Sequence, residues 1–218
     1  VYPGCMPAGL FAIADHFRAI NRRMGAIVFE PVWIGVEDAP VKLVGGPALD
    51  LRDSLRTTCE AYVLPGFWAE TAAGIDAMLE RQSLLVDWLR KLPESTGLWT
   101  YCMGVALAAA AGRIGDRAAT ATWWLEQPLR SRFDEVAWDF QQAVIEDRHV
   151  ITAAGANGYC AVLSKLLVNR LPAEAGRDIE QAMLMPRSNP GHPVFRPVEM
   201  IGQPEPLLQR LIDYAQKV

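Results

Sequence analysis

Cys102 has the most chemistry gathered around it. It follows the extended run Leu98-Trp99-Thr100-Tyr101 and precedes Met103 and the small-residue, helix-forming run Gly104 to Ala111. A strand that turns directly into a helix sets its turn residue at the helix N-terminus, where free amides and the helix dipole favour negative charge. A cysteine there tends toward a thiolate, and the neighbouring amides could hold an oxyanion. Gly104 and Ala106 would let the helix lie close on the strand, as a nucleophile elbow requires. The plainer reading is a buried cysteine that ends a strand. For the sulfur pKa the helix terminus and burial oppose one another, and the terminus is expected to prevail modestly. Cys102 would then react faster than Cys5, Cys59 and Cys160, which read as small buried hydrophobes.

A working cysteine also needs a base. Only His16, His149 and His192 are available. His16 lies on a different helix face from Leu10, Ile13 and Phe17, His149 sits beside a hairpin tip, and His192 lies in a Pro-rich stretch. None is spaced to share a metal with another. The four cysteines are far apart, with no CxxC pair, so neither a disulfide framework nor a zinc site is expected. No metal and no cofactor are expected.

The elements that must position Cys102 alternate between helical and extended, which predicts an α/β fold. Val1-Tyr2 reads as a short stub of strand ending at Pro3-Gly4. Apolar residues at 10, 13, 17 and 20 predict a helix over 8–23. Extended segments follow at 27–35 and 41–44. Ala61-Tyr62-Val63-Leu64, closed by Pro65-Gly66, has the continuous apolar character of a buried parallel strand. Helices are predicted at 83–91, 104–111, 117–129 (closed by Pro128 or just before it), 156–171 and 173–185. An extended run is predicted at 136–140 and a hairpin at 143–152 with Asp147-Arg148 at its tip. A Pro-rich linker or arm spans 186–206, and Leu207, Leu208, Leu211, Ile212 and Ala215 mark one face of a terminal helix.

In such sheets ligands sit beyond the carboxyl ends of the strands. That places Gly66, Phe67, Trp68, Cys102, Met103, Thr122, Trp123 and Asn157 around one candidate ligand site. Three large rings and few charges suit a small apolar or aromatic molecule. Taken singly, Trp123 or Trp124 reads more simply as core.

Composition narrows the function classes. The 218 residues are 51% hydrophobic and 21% charged, with 21 basic against 25 acidic residues and a net charge of −4. The chain therefore has a globular composition and carries no electrostatic footprint for nucleic acid. Its longest apolar run, Met103 to Gly112, is half of what a bilayer crossing needs. No membrane association and no signal peptide are expected, and a reduced, cytoplasmic setting is the default.

Several segments, in order, resemble the PfpI branch of the class I glutamine-amidotransferase-like superfamily. They are Tyr2-Pro3-Gly4, Phe17 to Asn21, Tyr62 to Gly66, and Tyr101-Cys102-Met103-Gly104 through Leu107-Ala108 and Gly112. Gly115 to Thr120, Trp123 and Asp147 to Gly155 continue the series. The resemblance covers roughly residues 1–185. It implies a flavodoxin-like, mostly parallel sheet sandwiched by helices, with an elbow of strand, turn and helix.

Within that group the chain is most similar to the sensor half of AraC-type transcription regulators. This implies a ligand-sensing homodimer with a small-molecule effector, and DNA contact only through a C-terminal helix-turn-helix domain outside this chain. Residues 186–218 would be the linker and opening helix leading to it. Two departures bear on catalysis. Thr122 stands where related sequences carry a histidine before the tryptophan, and Gly9 stands where they often carry an acid. The expectation is a catalytically degenerate sensor in which Cys102 is a vestigial nucleophile. The alternative is a PfpI-type cysteine enzyme acting as hydratase, glyoxalase-like enzyme or amidase.

Overall fold

The computed structural model describes residues 1–36, 40–46, 48–51 and 53–186. Helix α1 (Pro7–Met24) opens the fold, with Pro7 in its first turn and Gly25 ending it at φ +62°. Short strands β1 (Ile34–Gly35), β2 (Val41–Lys42), β3 (Ala48–Leu49) and β4 (Asp53–Ser54) follow. Next come β5 (Ala61–Leu64), α2 (Ala72–Arg81), α3 (Ser83–Arg90), β6 (Gly97–Tyr101) and α4 (Gly104–Ala110). The second half holds β7 (Ala118–Ala119), α5 (Glu126–Arg132), β8 (Ala137–Trp138), β9 (Val144–Asp147), β10 (Val150–Ala153), α6 (Gly158–Arg170) and α7 (Ala173–Ala182).

The main sheet has the order β5-β6-β10-β9. β5, β6 and β10 are parallel, with Val63 opposite Trp99 and Ile151 opposite Trp99 on its other side. β9 closes one edge antiparallel through a hairpin whose tip residue Arg148 has φ +56°. Helices cover both faces. Gly158 of α6 packs on Tyr101, whereas Gly104 of α4 packs on Thr100. Successive strand residues point to opposite faces, so α6 and α4 lie on opposite sides of the sheet. α1 and α7 pack with α6, while α2 and α3 pack with α4. This is the predicted α/β sandwich.

The far end of the β6–α4 unit is tied together by Arg113. Its guanidinium donates to the carbonyls of Leu92, Pro93 and Thr96, on the loop that enters β6.

Four points differ from the sequence reading. Residues 117–122 are not helical: Ala118-Ala119 pairs with β8, and the Thr120 amide donates to Thr152 Oγ1 at 3.0 Å. The alanines suggested a helix, but the sheet edge claims their backbone. Pro128 does not close a helix. It sits in the first turn of α5, where a missing amide costs no intrahelical bond. Helix α2 has no counterpart in the sequence reading, although Thr71 caps it by accepting from the Gly74 amide and Ile75, Met78 and Leu79 form its buried face. The extended segment 27–35 forms a ladder only at Ile34–Gly35, because Asn21 already engages Phe29 through both its amide and its carbonyl. The terminal helix and all of the Pro-rich stretch beyond Pro186 lie outside the described residues.

Candidate functional site

The elbow at Cys102 is built by the residues beneath it. β6 runs into α4 through Cys102, whose φ of +54° is a left-handed conformation that a non-glycine residue adopts at a cost. Its amide donates to the Ala153 carbonyl at 2.9 Å, fastening the turn to the end of β10. A side chain at Gly104 would meet Thr100 Oγ1 at 2.7 Å and the Leu64 carbonyl at 2.8 Å. One at Gly66 would meet Cys102 Cβ at 2.7 Å. The two glycines therefore let the turn descend onto the sheet.

The sulfur is enclosed. Cys102 is 1% exposed, and Phe67, Met103 and Thr122 around it are buried as well. Thr122 Oγ1 donates to Cys102 Sγ at 3.3 Å, and the thiol approaches the Phe67 carbonyl at 3.9 Å. Burial pushes the Cys102 pKa up, and this outweighs the opposing hydrogen bonds from the Thr122 hydroxyl and the Met103 amide. The expected modest lowering is thus overturned. Desolvation of the charged sulfur exceeds what one hydroxyl and the turn amides return.

No base or acid faces this thiol among the described residues. His16 Nδ1 lies 2.7 Å from the Ala12 carbonyl on its own helix. The His149 carbonyl accepts from the Leu98 amide, at the opposite end of β6. At a rise of about 3.3 Å per residue, that is roughly 13 Å from the elbow. His192 lies outside the described residues. At Gly9 a side chain would collide with the hydroxyl of Tyr101 and lie 2.7 Å from its Cζ. Among the described residues that hydroxyl is buried without a hydrogen-bond partner, and burial raises its pKa far above the ordinary phenol value. An acid at this position would need the Tyr101 ring to move.

Gly66, Phe67, Cys102, Met103 and Thr122 therefore meet at the elbow. Each loop that touches the sulfur continues into tryptophan. Trp68 and Trp124 are 6.2 Å apart between ring centroids, and Trp123 meets Trp124 edge-on at 5.5 Å. Trp68 is 56% exposed and Trp124 37%, so an aromatic cluster caps the elbow. Trp124, read from the sequence as core, belongs to this cap; the Trp-Trp pair in a short 3-10 turn was its only signal. Asn157 is exposed just before α6 and makes no side-chain hydrogen bond to the others. No group of three or more His, Cys, Asp or Glu among the described residues is placed to hold a metal, and no described helix is long and apolar enough to cross a membrane. A cavity of about 520 Å³ lies elsewhere, between α1, α3 and the outer edge of β5, and none of the predicted site residues line it.

No protein-family model matches the chain, and no significant match is found among curated proteins. Solved structures do match. Drosophila melanogaster DJ-1beta superposes with a TM-score of 0.65 at 19% identity, over 86% of this chain and 96% of that one. A ThiJ/PfpI family protein from Pseudomonas syringae gives 0.64 at 18% identity, over 100% and 84%. The fold is the DJ-1/ThiJ/PfpI fold. An AraC family transcriptional regulator from Pseudomonas putida carries the DJ-1/PfpI fold too, with a TM-score of 0.63 at 14% identity over 84% of this chain and 95% of that one.

Proposed function

We propose that residues 1–185 are the ligand-sensing and dimerising domain of an AraC-type transcription regulator, keeping the PfpI elbow without its catalytic partners. The observation that carries this reading is the contact at Cys102. A threonine hydroxyl, which cannot take a proton near neutral pH, donates to the sulfur where a base would be needed. Gly9 with the Tyr101 hydroxyl against it supplies no acid. The Pseudomonas putida regulator of the same fold supports the regulatory setting.

In this reading the effector is a small apolar or aromatic molecule received between Trp68, Trp123 and Trp124 above Phe67 and Thr122. The two capping loops part to admit it. DNA contact falls to a helix-turn-helix domain distinct from these residues, since a net charge of −4 gives little phosphate affinity. The protein works in the cytoplasm as a homodimer, without a cofactor.

Three measurements test the proposal. The full-length reading frame should encode a basic helix-turn-helix segment. Sedimentation of this chain should give a dimer. Tryptophan fluorescence should respond saturably to a panel of aromatic effectors. Tight, sequence-selective DNA binding by residues 1–218 in a low-salt gel shift would overturn the assignment of DNA contact. The enzyme reading keeps one observation in its favour, the left-handed Cys102 turn. Turnover of a glyoxal, amide or isocyanide that disappears in Cys102→Ser would establish it and sink the sensor.

A further inference from the structure

A second, polar pocket lies at the foot of the sheet, at the end of β6 remote from Cys102. Three loops meet there: the one entering β6, the one leaving α4 and the tip between β9 and β10. Glu94, Arg113, Arg117, Arg148 and His149 line a cavity of about 30 Å³ between them. The chain as a whole carries a net charge of −4, yet three guanidiniums face one carboxylate in this lining. The local sign is reversed. Asp147 does not correct it, because its Oδ2 accepts from the Ala118 amide of β7 at 3.2 Å. Asp116, beside Arg117, is exposed and lines no part of the cavity.

The fold uses only part of this charge. Arg113 is 6% exposed and commits both terminal nitrogens to the carbonyls of Leu92, Pro93 and Thr96. Its Nε is buried with no partner among the described residues. Arg117 donates from Nη1 to the carbonyls of Arg113 and Ile114, at 3.0 and 3.2 Å. Its Nε is buried without a partner, and its Nη2 has none either, among the described residues. Nε and Nη2 form the edge of a guanidinium that grips two oxygens of an anion side by side. None of the three arginines forms an ion pair among the described residues, with Glu94 or any other acid. Arg148 is held at φ +56°, where glycine would sit without cost. Burial, and next the charge of Arg117, lower the Arg113 pKa, with Glu94 opposing. Buried cations with unused donors are costly, and an anion would offset that cost.

We propose that this pocket binds a phosphoryl group, as inorganic phosphate or at the end of a small phosphate monoester, on the free edge of Arg117 with Arg148 and His149 beside it. The charge selects the class. Three guanidiniums less one carboxylate leave +2 in the lining, which a phosphoryl group of about −1.5 to −2 neutralises and a single carboxylate does not. The size agrees. A cavity of about 30 Å³ has room for roughly one or two water-sized groups, so the leading oxygens of the anion enter and the remainder stands at the rim. Gly112 leaves that rim open, since a side chain there would meet nothing within 4 Å. The site goes beyond the sensor reading and does not rest on it, because it lies at the opposite end of β6 from the elbow.

Calorimetric titration of the full chain with inorganic phosphate, at fixed ionic strength in chloride, tests the site. Phosphate should bind saturably with one site per chain. Arg117→Gln and Arg148→Gly should each weaken it on the order of tenfold, the effect of losing one charged donor group. Arg148→Gly also relieves the left-handed backbone, so in phosphate-free buffer it should melt no lower than the parent. That separates lost binding from lost folding. Glycerol phosphate bound at least as tightly as inorganic phosphate would assign the group to a larger molecule, and weaker binding would assign it to free phosphate; either supports the site. No binding above that of chloride would overturn the proposal, as would parent-like affinity in both variants. Acetate bound as well as phosphate would overturn the choice of a phosphoryl group. Duplex DNA that displaces phosphate from the parent chain would overturn the choice of a small molecule.

Discussion

The hydroxyl of Thr122 lies 3.3 Å from the sulfur of Cys102 and donates to it, in a position enclosed on every side. A donor that favours the thiolate but takes no proton holds the sulfur without serving as its base. Thr122→Val should therefore raise the Cys102 pKa further and cost about 1 kcal/mol of stability, the usual worth of one hydrogen bond. Ultraviolet thiolate titration and denaturant unfolding measure the two effects. An unchanged titration would mean that the contact does not govern the sulfur.

Cysteine labelling should follow burial and not position in the elbow. Cys59 and Cys160 are partly exposed, whereas Cys5 and Cys102 are buried. Mass-spectrometric mapping with iodoacetamide at neutral pH should find Cys59 and Cys160 modified first. Cys102 labelled fastest would contradict the enclosure described here.

Alkaline conditions should weaken the fold. Burial raises the pKa of Cys102 and of Tyr101, so the folded chain holds these protons more tightly than the unfolded chain does. Their contribution is complete below the ordinary thiol pKa of about 8.5 and falls as pH rises above it. Melting temperature should decline between about pH 8 and 10, and Cys102→Ala should decline less steeply. A parallel decline in both proteins would remove Cys102 from the account.

Two glycines should respond oppositely to alanine. Gly104→Ala drives a methyl into Thr100 and the Leu64 carbonyl and should cost a few kcal/mol through overpacking. Gly74→Ala, within α2, meets its nearest neighbour at an ordinary 3.6 Å and should stabilise by about 0.5–1 kcal/mol. Thermal unfolding of the pair checks both. Equal effects would mean that the close approach at Gly104 is not what shapes the elbow.

The elbow was legible in the sequence because a strand, a cysteine and Gly104 occur in the one order that permits it. The sign of its pKa was not. That sign depends on Phe67 and Thr122 closing over the sulfur, and both arrive from loops remote in sequence. The α1 face at Leu10, Ile13, Phe17 and Ile20 follows its spacing, since one helix face suffices to bury it. Residues 117–122 defeat the same logic, because alanine's helix preference is small beside the sheet hydrogen bonds those residues can make. Pro128 misled for a positional reason: the same ring that ends one helix begins another.

Arg113 makes the elbow a closed mechanical loop. Strand and helix are joined at one end by the peptide chain through Cys102 and at the other by three hydrogen bonds from a single guanidinium. Closure at both ends holds strand and helix in a fixed relation to one another. On the proposed sensor reading, an effector above the sulfur would act on the loops that carry Trp68 and Trp124 and not on this braced unit. The spacing between those rings, 6.2 Å without a ligand, would then report occupancy.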